Sequence, residues 1–131
     1  MDRRIVNPWT WQDAFGFVQA NEIRAPQRWL ICAGQGAADE SGRTLHEGDM
    51  RAQVRQALDN LEVVLGQAGF TLADVVRLTL YTTDMDGLFS VWDEVVGRLN
   101  QAGCRTAMTL LGVQRLAFPE MLVEIEATAA A

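Results

Sequence analysis

The chain reads as an α+β domain: one mixed β-sheet with two helices packed on one face, in the order β-β-α-β-α-β-β. Three observations predict this. A long stretch, Val54 to Ala68, repeats its apolar residues with helical spacing. Two other stretches, Val75 to Thr82 and Leu122 to Thr128, carry β-branched or alternating residues of strand type. Each predicted helix has a single apolar stripe, so both can lie on the same side of a single sheet.

Taken in order, residues 1–14 resist assignment. Asn7-Pro8 is a turn signal, and the Trp9/Trp11 alternation fits a short edge strand or a packed arm. Phe15 to Ile23 and Arg28 to Ala33 are extended in pattern, with Ala25-Pro26-Gln27 between them, which predicts a hairpin. Gly34 to Gly48 is a polar loop. Asp49 is the expected N-cap of the first helix, whose stripe is Val54, Ala57, Leu58, Leu61, Val64, Leu65 and Ala68, and Gly69 is its expected stop. Thr71 to Asp74 makes a turn into the strand VVRLTLYT. Thr83 to Asp86 ends that strand and caps a second helix, marked by Leu88, Phe89, Trp92, Val95, Val96 and Leu99 and closed by Gly103. Two strands follow. The first, Arg105 to Val113, is nearly all apolar apart from its opening Arg. In the second, Val123, Ile125 and Ala127 alternate with Glu124 and Glu126.

At 131 residues the chain is one domain, 1–131, able to bury about two-thirds of its unfolded surface. The net charge is −6, and the eleven basic residues are all Arg, scattered along the chain. That disfavours a basic nucleic-acid stripe. No apolar run approaches the roughly 20 residues of a membrane span, and MDRRIVNPWTW lacks the apolar segment of a secretory signal. Cys32 and Cys104 read as buried free thiols, and a cytoplasmic setting is expected. His46 reads as a solvated loop residue without ligand-type neighbours, so no metal is expected. Cys104 lacks an adjacent base, which makes it a poor nucleophile.

With both helices on one side, the other side of the sheet is left open. The residues expected there are Phe17, Gln19, Arg105, Thr109, Leu111, Glu124 and Glu126, a set too apolar for free solvation and too charged for a core. An oligomer interface with polar pockets is the expected use.

Four pieces in order, CAGQ (32–35), QALDNLEVVLGQAGFTLADVVRLTLYTTDM (56–85), Arg105 and VEIEATA (123–129), resemble the Rid (YjgF) family of enamine/imine deaminases. The resemblance runs from about Phe15 to Ala129. It implies a chorismate-mutase-like fold, a homotrimer with sites between subunits, and hydrolysis of 2-imino or 2-enamino acids to 2-keto acids and ammonia without a cofactor. It also implies that Arg105 binds the substrate carboxylate, that Glu124 orients water, and that Gly34 contributes backbone contacts. A guanidinium fork suits a carboxylate, and water activation needs a proton acceptor. A plain ion pair between Arg105 and Glu124 or Glu126 across the interface is the bland alternative, and Glu126 reads as structural.

Four substrate-binding positions depart from the pattern of the resembled family. Phe17 stands for a Tyr, Ala33 for a Ser, Ala107 for a Cys and Trp92 for an Asn. Each removes a polar group, so a bulkier or more apolar substrate is expected. The connection Gly112 to Met121, with Phe118-Pro119 at its tip, is longer than usual and is expected to reach towards a neighbour's site. A non-catalytic carboxylate-binding or regulatory role is the runner-up. Chemistry on a ring-derived intermediate is a further alternative. Nucleolytic activity, suggested for some relatives, fits the acidic balance poorly.

Overall fold

A computed structural model describes all 131 residues. The regular elements are β1 (Asp2–Val6), β2 (Ala20–Arg24), β3 (Trp29–Ile31), β4 (Gln35–Gly36), α1 (Met50–Gln67), β5 (Val75–Thr82), α2 (Met85–Ser90), α3 (Trp92–Gln101), β6 (Ala107–Gly112) and β7 (Val123–Ala130). The main sheet runs β3-β7-β5-β6, with β4 also paired to β7. It is mixed: β5 and β6 are parallel, joined through α2 and α3, and every pairing with β7 is antiparallel.

Register decides which side chains share a face. Leu78 and Leu80 of β5 stand opposite Met108 and Leu110 of β6 and opposite Ala127 and Ile125 of β7. These residues meet Val54, Leu58, Leu61 and Leu65 of α1 and Leu88, Val95 and Leu99 of α2 and α3 in one core. The α1 stripe is thus buried as its spacing requires. Asp49 caps the helix, its carboxylate accepting from the Ala52 amide at 3.0 Å.

The other side of the sheet has no helix over it. It carries Arg77, Thr79 and Tyr81 of β5, Ala107, Thr109 and Leu111 of β6, and Glu124, Glu126 and Thr128 of β7. Trp29 and Ile31 of β3 extend it, with Ile31 81% exposed. Thr109, Leu111, Glu124 and Glu126 therefore lie on the open face as expected.

Phe17 and Gln19 do not. No strand runs from Phe15 to Ile23: Trp11–Phe15 forms a 3₁₀ turn, ended by Gly16 at φ +83°, a conformation no strand accepts. Phe17 packs edge-on to Trp11 instead, and Gln19 donates from its side chain to the fully buried Gln12. The expected hairpin also fails. Beyond Ala25 (φ +49°) the chain leaves β2, which pairs back to the N-terminal strand β1, while β3 joins the C-terminal strand β7. The Asp-Arg-Arg opening of β1 hides its strand character. The second helix is two helices. Val91 leaves helical geometry (φ −119°, ψ 18°), and just before it the Ser90 hydroxyl bonds back to the Gly87 carbonyl at 2.7 Å. Arg105 lies just outside β6 rather than within it.

Gln53 ties three segments together from inside α1. Its side-chain amide donates to the Glu120 carbonyl at 2.9 Å and the His46 carbonyl at 3.3 Å, and its oxygen accepts from the Leu122 amide at 2.9 Å. It is fully buried. Gln53→Leu should cost about 3 kcal/mol, because three buried backbone groups lose their partner. Urea unfolding of this variant should show a clearly lower midpoint; a midpoint equal to the parent's would refute this account.

Glu94 of α3 accepts from Arg55 and Arg51 of α1, each at 2.6 Å, and these two cations hold its carboxyl down at about 2, against an ordinary 4.5. The bonded form is the ionised one. Its contribution is therefore whole above pH 4.5 and lost as pH falls towards 2. Glu94→Gln should flatten the loss of stability across that window in unfolding titrations, with little effect near neutrality. The effect is small, as for most solvent-facing pairs.

Candidate functional site

Most charged side chains here are already satisfied. Nine of the eleven Arg side chains have an ion-pair or hydrogen-bond partner. Arg105 and Arg115 have none. Arg105 is exposed and lines a cleft with Asp13, Gly16, Phe17, Val18, Asn100 and Cys104. An unpaired guanidinium beside an open cleft keeps all its donors for an incoming anion.

Phe17 also lines a second depression, of about 210 Å³, whose walls are wholly apolar: Trp11, Phe15, Phe17, Phe89, Trp92, Met108 and Leu110. That is below the ~300–1,000 Å³ of sites for drug-sized ligands and suits a single ring. Trp92 is fixed by its indole N–H, which donates to the Phe15 carbonyl at 3.1 Å. Phe89, half exposed, leans on Trp92 with ring centroids 6.0 Å apart. Ala107 begins β6 beside this region, bridged to Val18 and opposite Arg77. Phe17, Trp92, Arg105 and Ala107 are thus brought to one edge of the sheet.

Glu124, Ala33 and Gly34 are brought to the other. Glu124 is half-buried on β7, and its carboxylate lies over Gly34. A methyl group added at Gly34 would stand 2.0 Å from Glu124 Oε1 and 2.9 Å from its Cγ. Only glycine lets this carboxylate rest there. Ala33, just before, is exposed, and its carbonyl accepts from the Gln35 side chain at 3.2 Å. Tyr81, directly opposite Glu124, donates to Glu126 Oε1 at 2.6 Å. That bond, followed by burial and the charges of Glu126 and Glu124, raises the tyrosine pKa. Glu126 is thereby tied to Tyr81, in keeping with a structural part.

The two groups do not meet within one chain. Glu124 stands level with Tyr81 and hence with Leu111, six residues beyond Arg105. That is roughly 20 Å along the strands, with two strand spacings of about 5 Å added across the sheet. Arg105 pairs with neither Glu124 nor Glu126 in the chain. No three His, Cys, Asp or Glu side chains stand close enough together to hold a metal ion. Cys32 and Cys104 are free and buried, and burial pushes the Cys104 thiol up to about 11, far from a nucleophile's range.

Several contributors escape sequence reading. Trp11, Phe15 and Phe89 read as strand or core residues because their shared depression depends on the 3₁₀ turn and the break at Val91. Tyr81 reads as an ordinary strand residue.

A mixed sheet with helices on one side, and polar groups at the edges of its open side, defines an α+β fold of the chorismate-mutase-like class. The endoribonuclease L-PSP family model matches residues 12–131. The YyfB protein of Yersinia pestis, described as a protein of unknown function in the conserved Rid family, superposes over 100% of both chains with a TM-score of 0.87 at 40% identity. The RutC family protein PH0854 of Pyrococcus horikoshii is 35% identical over 101 residues, 77% of this chain and 78% of that one. A chorismatase of Streptomyces hygroscopicus is 31% identical over 119 residues, 84% of this chain but 33% of its own length. The chain belongs to the Rid (YjgF, RutC) family. No helix in it is long and apolar enough to cross a membrane.

Proposed function

We propose that the protein hydrolyses a reactive 2-imino or 2-enamino acid to a 2-keto acid and ammonia, on substrates whose side chain carries a ring or a comparably bulky apolar group. The observation that carries this is the unpaired Arg105 in a cleft that shares Phe17 with an all-apolar depression. Arg105 holds the carboxylate and the aromatic walls take the side chain. Glu124 accepts a proton from water as it adds to the imine carbon and passes it to the nitrogen, giving a carbinolamine. It then carries the hydroxyl proton to that nitrogen, so that the C–N bond breaks, ammonia leaves and the carbonyl forms.

Because Arg105 and Glu124 sit at opposite edges of the sheet, we propose that a complete site needs two copies of the chain. The open face, with Trp29, Ile31 and Leu111 exposed on it, is the surface we propose for that association, in a homotrimer as the family resemblance implies. The named substrate of the chorismatase relative, chorismate, is a ring-bearing carboxylate, which supports the substrate class.

The test is to generate imino acids in situ with an amino-acid oxidase and follow their decay. The imine of phenylalanine should be cleared faster than 2-iminopropanoate. Decay of every imine at the buffer rate would overturn the reading. A second reading, a non-catalytic carboxylate-binding member, is favoured by one observation: at positions 17, 33, 92 and 107 the only side-chain polar group is the Trp92 indole N–H, which is already spent on the Phe15 carbonyl. It predicts that 2-keto acids raise the unfolding temperature while imine decay stays at background.

A further inference from the structure

Arg105 lies in the irregular stretch between α3 and β6, and its neighbours are held by the body of the domain. The Cys104 amide donates to the Leu99 carbonyl at 2.8 Å, and the Thr106 carbonyl accepts from the Val18 amide at 2.9 Å. The carbonyl of Arg105 itself is held differently. Both of its acceptor positions are filled by side chains of the β1-β2 ribbon, the Arg3 guanidinium and the Asn21 amide, the latter at 3.0 Å.

These two side chains form one unit. Arg3 Nε donates to Asn21 Oδ1 at 2.9 Å, Nη1 to the Ala73 carbonyl at 2.9 Å, and Nη2 to the Val75 carbonyl at 3.1 Å as well as to Arg105. Asn21 also donates to the Val76 carbonyl at 3.0 Å. Four of the five guanidinium N–H groups are therefore used to lock the entrance of β5 to the carbonyl of Arg105. Fixing that carbonyl fixes the main chain at Arg105 and with it the direction of the Cα–Cβ bond from which the guanidinium reaches out. Arg3 is half-buried. Burial above all lowers its pKa, with Cys104 acting against this and the nearby Arg105 charge adding to it.

We propose that Arg3 and Asn21 are positioning residues that hold the Arg105 guanidinium towards the cleft, so that the N-terminal ribbon sets the affinity for the substrate carboxylate. This rests on the reading of Arg105 as the carboxylate-binding side chain.

The experiment measures phenylpyruvate binding by calorimetry and steady-state imine hydrolysis in the full-length protein. The variants are Arg105→Ala, Arg3→Ala, Asn21→Ala, and the doubles that combine Arg105→Ala with each of the other two. Arg3→Ala and Asn21→Ala should each raise Kd and KM on the order of tenfold with kcat little changed, since a misaimed clamp loses binding geometry. In the Arg105→Ala background neither should add anything.

Two results overturn the proposal. If Arg105→Ala abolishes binding while Asn21→Ala and Arg3→Ala keep the parent Kd, or if their losses recur in full without Arg105, the clamp stands and the positioning role falls. If Arg105→Ala binds phenylpyruvate as the parent does, both fall together. Should Arg3→Ala fail to fold, Asn21→Ala, which removes two hydrogen bonds to main-chain carbonyls, decides alone.

Discussion

Arg105→Ala is expected to lower kcat/KM for the imine of phenylalanine about a hundredfold while the unfolding midpoint stays where it is. The two halves of that expectation have separate causes. The guanidinium makes no hydrogen bond or ion pair within the chain, so removing it breaks nothing in the fold. The interaction lost is with the substrate. Charge-assisted hydrogen bonds contribute about 1.5–3 kcal/mol each, so a bidentate clamp is worth roughly 3 kcal/mol after the cost of desolvation. At about 1.4 kcal/mol per factor of ten, that gives the hundredfold. Arg105→Lys keeps the charge without the fork and should recover only part of it. A fall in stability that matched the fall in activity would instead mark Arg105 as a structural residue.

The second large effect comes from adding one methyl group. Gly34→Ala puts a carbon where Glu124 Oε1 now lies, 2.0 Å away. Gly34 does not use a left-handed backbone, so alanine brings no torsional strain. What must move is the far end of a flexible side chain. The fold should therefore survive with its midpoint almost unchanged, while the Glu124 carboxylate is pushed out of place. Displacing a proton-transfer group by about an ångström costs on the order of a hundredfold. The variant should thus match Glu124→Gln in kcat, and the double variant should be no worse than either. An active Gly34→Ala enzyme would remove Glu124 from the chemistry.

These two predictions drew on the sequence to different degrees. Asp49, the α1 stripe, the strand Val75–Thr82 and the alternation of β7 were legible because each is a local pattern with a fixed period. The open face was legible as well, since two one-sided helices cover only one side of a sheet. The N-terminal third was not. Phe15 and Phe17 alternate as a strand would, yet Gly16 turns the chain. β1 opens on Asp and two Arg rather than on β-branched residues, and the extended pattern of its partner β2 reads equally well as half of a hairpin with β3 that does not form. Two arrangements had no signal at all, because they depend on segments far apart in sequence meeting across the sheet. One is the rest of Glu124 on Gly34. The other is the hold of Arg3 and Asn21 on Arg105.

The separation of Arg105 from Glu124 makes the proposed activity a property of contacts between chains. On that reading, a chain lacking the clamp and a chain lacking the carboxylate are each expected to be strongly impaired as pure species and to complement when mixed. In mixed assemblies some junctions join an intact Arg105 from one chain to an intact Glu124 from the other. With random mixing in equal amounts, about a quarter of the junctions are whole. Loss-of-function changes on the two edges of this sheet would therefore behave, in a cell that carries both, as if they lay in different genes.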